Sequence, residues 1–427
     1  MDSKPPKHRW KENFGDTWKV ASGKCQETRV FYAQAIYRRE EIDAVVDVLE
    51  NKSLTLMGGP AVAEFESRVA CLFGKDVGLM VNSGSSANLL AFQCLINPYR
   101  KKRLKKGDEV LVPSICWPTS FWPIIQSGLK PVFVDVDREN YNIDLKDLKK
   151  KISNKTRALM LIHVLGVCTN MDKLMKILNK NKIILIEDTC ESIGAKYKNK
   201  FLGTFGDFST FSFYFSHQIS SVEGGMICCK NKQDEDIIKS LRSHGWTKDL
   251  SNQRKIEKKF KDSNKNFLFI NSGFNFRPTD IQAAIGLSQF NSLNNFIKIR
   301  KVNRNKIIKK IMTDKRWNNQ VRFVEKNDNI EPSWFGLAML LNKKFKHKKK
   351  LILNKLDKLG IENRPIISGN FLKQPALRKY NINQKSKNFP NANHVHEYGL
   401  FVGLKNKIMS QIEIEKFANI FFKSFIV

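Results

Sequence analysis

The chain has 427 residues, 41% hydrophobic and 11% aromatic, which is apolar material for a large buried interior and excludes a disordered polymer. Lys+Arg total 74 against 41 Asp+Glu, a formal net charge of +33, yet the densest basic runs, Lys101 to Lys106 and Lys343 to Lys350, lie between apolar segments as solvated loops, with no nucleic-acid-binding motif beside them. No stretch nears the roughly 18 uninterrupted apolar residues of a membrane span, and no apolar h-region follows Met1 to His8, so neither membrane insertion nor a secretion signal is expected.

Residues 1–34 are polar, with few periodic apolar positions, and read as an N-terminal extension. Over 37–49 an amphipathic helix is predicted, with Ile42, Val45, Val46 and Leu49 among its apolar positions. Gly58-Gly59-Pro60 marks a loop, and a second helix is predicted over 61–73. Apolar runs at 77–81, 109–113, 131–135, 158–163 and 183–187 read as strands, with helices over 85–96 and 171–179 between them. That alternation predicts βαβ units and an α/β fold with a mostly parallel sheet covered on both faces. Further strands are expected at 208–212 and 225–229. A long helical region begins near Thr279, with Ile281, Ala284, Ile285, Leu287 and Phe290 on one face, and the Lys/Asn-rich stretch 291–330 is predicted to continue it. The rest suits a smaller α+β unit. The expected division is an extension (1–34), a large domain (35–290) and a small C-terminal domain (291–427).

Eight cysteines are scattered and none forms a CxxC pair, which fits reduced thiols in a cytoplasmic protein without structural zinc.

Several candidate site residues fall just past predicted strand ends, where open α/β sheets bind ligands. Asn82-Ser83-Gly84-Ser85-Ser86-Ala87-Asn88 links a strand to a helix, and glycine, free N–H groups and the helix dipole there favour an anion. Asp188 ends a strand, where a carboxylate suits a protonated ring nitrogen or merely caps a turn. Trp117 lies beyond another strand, placed to stack on a flat heterocycle or to fill a core. Ser212 offers a hydroxyl for a phosphate oxygen or for its own backbone. His217 follows in Ser212-Phe213-Tyr214-Phe215-Ser216-His217-Gln218, and an imidazole moves protons near neutral pH. Each feature alone fits an ordinary structural role; their order along the chain raises the functional reading.

With Ser53-Leu54-Thr55, Gly59-Pro60, Glu223-Gly224-Gly225 and the run Gly273 to Ala284, these motifs resemble the DegT/DnrJ/EryC1/StrS group over nearly all of the chain from about residue 29. That group consists of pyridoxal phosphate (PLP) enzymes of fold type I, aspartate aminotransferase-like, acting on nucleotide-linked sugars. The resemblance implies that Gly84, Ser85 and Ser212 hold the cofactor phosphate, that Asp188 meets the pyridine nitrogen and that Trp117 stacks on the ring. Asn275 would reach the phosphate in a neighbouring subunit, which implies a homodimer with shared sites. Glu191 stands where many of the aminotransferases carry Gln and is counted with the cofactor-binding residues.

The departure is His217. The aminotransferases of the group have a lysine there, which tethers PLP covalently; an imidazole cannot. Within the group this change marks the sugar 3-dehydratases, which use PLP and its pyridoxamine form (PMP) to remove the C3 hydroxyl of a nucleotide-linked 4-keto-6-deoxyhexose. The resemblance further implies glutamate as amino donor. One branch acts on a GDP sugar and another, with an iron–sulfur cluster, on a CDP sugar. After Gly225 only Cys228 and Cys229 follow, whereas cluster ligation commonly needs four thiolates, so the cluster-free GDP branch is favoured and CDP stays open. A sugar aminotransferase and an inactive ligand-binding homologue remain the alternatives.

Overall fold

Strands rich in Val, Ile and Leu with no polar face can satisfy both faces only inside a covered sheet. A computed structural model describes residues 29–31, 33, 35–52, 55–326 and 329–426. Residues 1–28 of the expected extension lie outside the described residues. In chain order the strands of the first part are β1 (Val77–Val81), β2 (Glu109–Pro113), β3 (Lys130–Val134), β4 (Thr156–Ile162), β5 (Ile184–Asp188), β6 (Lys196–Tyr197), β7 (Lys200–Phe201), β8 (Phe208–Ser212) and β9 (Gly225–Cys229). All but β6 and β7 form a seven-stranded sheet in the order β1-β9-β8-β5-β4-β2-β3. Its pairs are parallel except those of β9, which is antiparallel to both β1 and β8. Because β9 alone is reversed, β1, β2, β5 and β8 all end at the same edge.

The strand side chains alternate between two apolar layers. Leu111, Leu159, Leu161 and Leu185 pack with Leu174, Ile177 and Leu178 on one face. Val110, Val112, Met160 and Ile186 pack with Leu90, Phe92 and Ile124 on the other. Each fully buried side chain of this kind contributes roughly 1.5–3 kcal/mol.

The α-helices up to residue 312 are α1 (Arg39–Asp47), α2 (Pro60–Leu72), α3 (Gly84–Leu95), α4 (Pro118–Gln126), α5 (Leu145–Lys151), α6 (Met171–Asn181), α7 (Lys232–Arg242), α8 (Gln253–Lys259), α9 (Asp280–Asn291) and α10 (Leu293–Met312). Sequence reading gave no helix at α4, whose prolines resemble a breaker; Pro118 instead sits at the permitted first position, although Pro123 is internal.

The predicted helical continuation over 291–330 is wrong in its second half. The helix stops at Met312 and is followed by a strand, β10 (Val321–Phe323). Asp314 accepts the Arg316 amide at 3.0 Å and closes a turn, and Asn319 adopts φ +49, reversing the chain.

After β11 (Ile330–Glu331), which pairs with β6, come β12 (Gly336–Leu341), β13 (Asn363–Arg364) and β14 (Gly399–Gly403). With β10 they form an antiparallel sheet in the order β10-β12-β14-β13. Among the described residues no helix is long and apolar enough to cross a membrane.

Two connections tie this second sheet to the ligand edge of the first. The Phe371 amide donates to the Ser114 carbonyl at 2.9 Å. The Ser368 hydroxyl donates to the Cys116 carbonyl at 2.6 Å. The segment after β13 is thereby laid across the end of β2, beside Trp117.

Candidate active site

At the edge where β1, β2, β5 and β8 end, the two sheets enclose a cavity of about 420 Å³. Gly84, Ser85, Trp117, Asp188, Glu191, Ser212 and His217 all line it. Sequence reasoning had assigned these residues to one site, and the fold brings them together. Asn275 does not line it: this residue is exposed, bridges to Ser243 through its backbone and accepts the Arg277 Nε at 3.0 Å.

The anion end is built on the start of α3. Ser83 caps the helix by accepting the Ser86 amide at 3.1 Å. The amides of Gly84 and Ser85 belong to the first turn and have no intrahelical acceptor. A Cβ on Gly84 would lie 2.6 Å from the Ser212 Cβ, so only glycine lets β8 bring the Ser212 hydroxyl this close. Gly225 on β9 is equally constrained, since a Cβ there would stand 2.3 Å from the Ser83 backbone.

Asp188, at the end of β5, is buried and held in one orientation. One oxygen accepts Asn88 Nδ2 at 3.0 Å and the Ser120 hydroxyl at 2.7 Å. The other accepts the Cys190 amide at 3.1 Å. Thr210 donates to Asn88 Oδ1 at 2.6 Å and so sets the amide's direction. Three donors on a group with about four acceptor positions leave capacity for one more N–H from the cavity. Asn88 lay inside the phosphate-turn motif but was given no role, and Ser120 was not noticed. The available signal was a polar residue on an otherwise apolar helix face.

Trp117 is 56% exposed, which excludes the core role open to it from sequence; its indole forms part of the rim.

His217 sits in the loop between β8 and β9. Phe213, packed 4.9 Å from Phe65, anchors one side of this loop, and the His217 amide donates to the Tyr214 carbonyl at 3.0 Å. The imidazole faces Phe335, whose ring centroid is 5.4 Å away, and its buried Nδ1 has no hydrogen-bond partner among the described residues. Burial, reinforced by the nearby Arg300 guanidinium and opposed by the Cys190 backbone, pulls the imidazole down to about 3. It is therefore neutral at physiological pH.

Glu191 accepts the Leu165 amide at 2.9 Å. Burial raises its carboxyl to about 7, against that bond and with help from Asp188. Tyr214, Glu223, Phe335, Arg364 and Ile367 also line the wall; the sequence motifs containing Tyr214 and Glu223 gave them no role, and Phe335 lies in no motif. Cys228 and Cys229 lie on β9 in two different apolar clusters, so their side chains point to opposite faces of the sheet.

An unpartnered imidazole nitrogen, a carboxylate with spare acceptor capacity, free helix-start amides and an aromatic rim fit a planar, protonated heterocycle that carries a phosphate. None of the described cavity-lining residues is a lysine.

Comparison with known proteins gives a consistent set. Residues 35–419 match the DegT/DnrJ/EryC1/StrS aminotransferase family. The chain is 37% identical over 368 residues to the GDP-4-keto-6-deoxy-D-mannose 3-dehydratase of Escherichia coli, covering 85% of this chain and 92% of that one. A crystal structure of GDP-4-keto-6-deoxymannose-3-dehydratase with a trapped PLP-glutamate geminal diamine superposes with TM-score 0.83 at 34% identity, over 91% of this chain and 99% of the other. A mutant of that enzyme with bound GDP-perosamine gives TM-score 0.82 at 34% identity, over 92% and 100%.

Proposed function

The chain belongs to the DegT/DnrJ/EryC1/StrS aminotransferase family, and from that premise we propose that it is a PLP/PMP-dependent 3-dehydratase of a nucleotide-linked 4-keto-6-deoxyhexose in deoxysugar biosynthesis. GDP is the favoured nucleotide, glutamate the amino donor and a cytoplasmic homodimer the working form. The observation that carries the reading is His217 inside a cavity whose described lining includes no lysine. The named activity of its relatives and their GDP- and glutamate-derived ligands support the finer points.

When bound, the cofactor supplies an electron sink for loss of a proton and of the sugar hydroxyl. In this reading the Gly84 and Ser85 amides and the Ser212 hydroxyl hold its phosphate. Asp188 keeps its ring nitrogen protonated, and Trp117 covers one face of the ring. Glu191 adds a polar contact, and Asn275 serves the neighbouring subunit. His217 would accept a proton at its imidazole and would deliver it to the departing C3 oxygen.

The deciding experiment is incubation of the purified protein with PLP, glutamate and either GDP- or CDP-4-keto-6-deoxyhexose, followed by mass analysis. Loss of oxygen at C3 is expected. An amino sugar as the sole product, or a pyridoxyl-lysine adduct after borohydride reduction and peptide mapping, replaces this reading with the aminotransferase one.

A further inference from the structure

Arg300 is an arginine on an apolar stripe. On α10 the buried positions Leu293, Phe296, Arg300, Asn303, Arg304, Ile307 and Ile311 follow helical spacing. Its guanidinium donates to the Trp334 carbonyl at 2.8 Å, to Asn406 Oδ1 at 2.9 Å and to the Phe335 carbonyl. Each of these acceptors is neutral. Among the described residues no carboxylate offsets the charge, and burial alone pulls the guanidinium down to about 10. A buried cation without a counter-ion is costly to keep. A purely structural staple would be served as well by a neutral donor.

Two of the three acceptors lead to His217. Phe335 places its ring against the imidazole. Asn406 donates to the Gln218 carbonyl at 3.5 Å. Gln218, next in sequence to His217, donates to the Ser333 carbonyl at 3.0 Å and to the Glu191 carbonyl at 2.8 Å. One buried side chain on α10 therefore fixes the apolar cover of the imidazole and, through Asn406, the backbone beside it.

We propose that Arg300 is a positioning residue for the dehydration, holding the aromatic cover of the His217 imidazole through the Phe335 carbonyl and the backbone beside it through Asn406, with a buried charge that no carboxylate among the described residues offsets. The proposal rests on the dehydratase reading for the purpose of the device, but not for the coupling itself. Other charged and titratable groups around the same cavity are Asp188, Cys190, Glu191, Tyr214, Glu223 and Arg364. The carboxylates among them favour a protonated imidazole; burial first, and the Arg300 field second, act in the opposite direction, in which His217 is displaced.

The test separates charge from packing. Asn406→Asp places a carboxylate beside the guanidinium but loses the donor to the Gln218 carbonyl, so Asn406→Leu, which loses the same donor without adding charge, is its control. Arg300→Met removes the charge, and Arg300→Lys keeps it while losing the fork. The His217 titration is followed in the apo-protein by NMR with labelled histidine, the signal being identified by its absence in His217→Asn. In the wild type and in Arg300→Lys the signal stays that of a neutral ring at mildly acidic pH. In Asn406→Asp and Arg300→Met the inflection rises by about one pH unit or more, and the acid limb of the dehydration rate moves with it. If Arg300→Met does not fold, the difference between Asn406→Asp and Asn406→Leu decides. An inflection unmoved in Asn406→Asp, or a wild-type His217 that titrates at its ordinary value, overturns the coupling. A shifted titration in a protein that dehydrates no sugar removes the dehydratase reading and upholds the coupling.

Discussion

The Phe335 ring lies against the His217 imidazole, centroid to centroid 5.4 Å, at a tilt of 48°. An aromatic face in that position keeps water from one side of the imidazole and favours its neutral form. The imidazole is then uncharged at neutral pH.

His217→Asn keeps a neutral polar side chain that cannot exchange a proton. Dehydration should fall by roughly 10²–10⁴-fold while cofactor binding persists. Single-turnover formation of the 3-deoxy product, measured beside a PLP titration, checks both parts. Full activity in this variant would remove His217 from the chemistry.

Gly84→Ala drives a methyl group toward the Ser212 Cβ, 2.6 Å from its ideal position. Either β8 or the start of α3 must shift, and the anion cradle opens. PLP affinity, followed by absorbance, should drop by about tenfold or more, equivalent to roughly 1.4 kcal/mol. An unchanged affinity would place the phosphate elsewhere.

Trp117→Ala removes a side chain that is 56% exposed and contributes little to packing. The unfolding free energy should change by no more than about 0.5 kcal/mol. PLP binding should nonetheless weaken about three- to tenfold through lost stacking. A large loss of stability with normal binding would return Trp117 to the core.

Glu191 makes stability depend on pH. Unfolded, it ionises near 4.5; folded, burial holds its proton to about 7. Between these values the unfolded chain binds fewer protons, so this residue's contribution falls as pH rises and levels off above the window. Glu191→Gln abolishes the dependence. The stability difference, variant minus wild type, should grow from about pH 5 to about pH 8 in urea unfolding of the apo-protein. His217, displaced downward, contributes a slope of opposite sign that both proteins share and that cancels in the difference. A flat difference would mean that Glu191 is ionised throughout.

Strand positions were legible because Val110 to Val112 and Leu159 to Ile162 are apolar runs too short for helices. The break after Met312 was not, because a Lys/Asn-rich surface carries little periodic signal and the reversal depends on Asn319 taking a left-handed backbone. The glycine, serine, aspartate and histidine of the site were legible through the order of their motifs.

Sequence by itself determined which residue types end the strands and that residue 217 is an imidazole with no amine to tether a cofactor. Only the tertiary structure decided that Ser120 and Asn88 aim Asp188, that Trp117 forms a rim, and that burial lowers the His217 imidazole. Residue type is local, whereas orientation and ionisation depend on burial and on neighbours distant in the chain, which exist only once the two sheets have closed on each other.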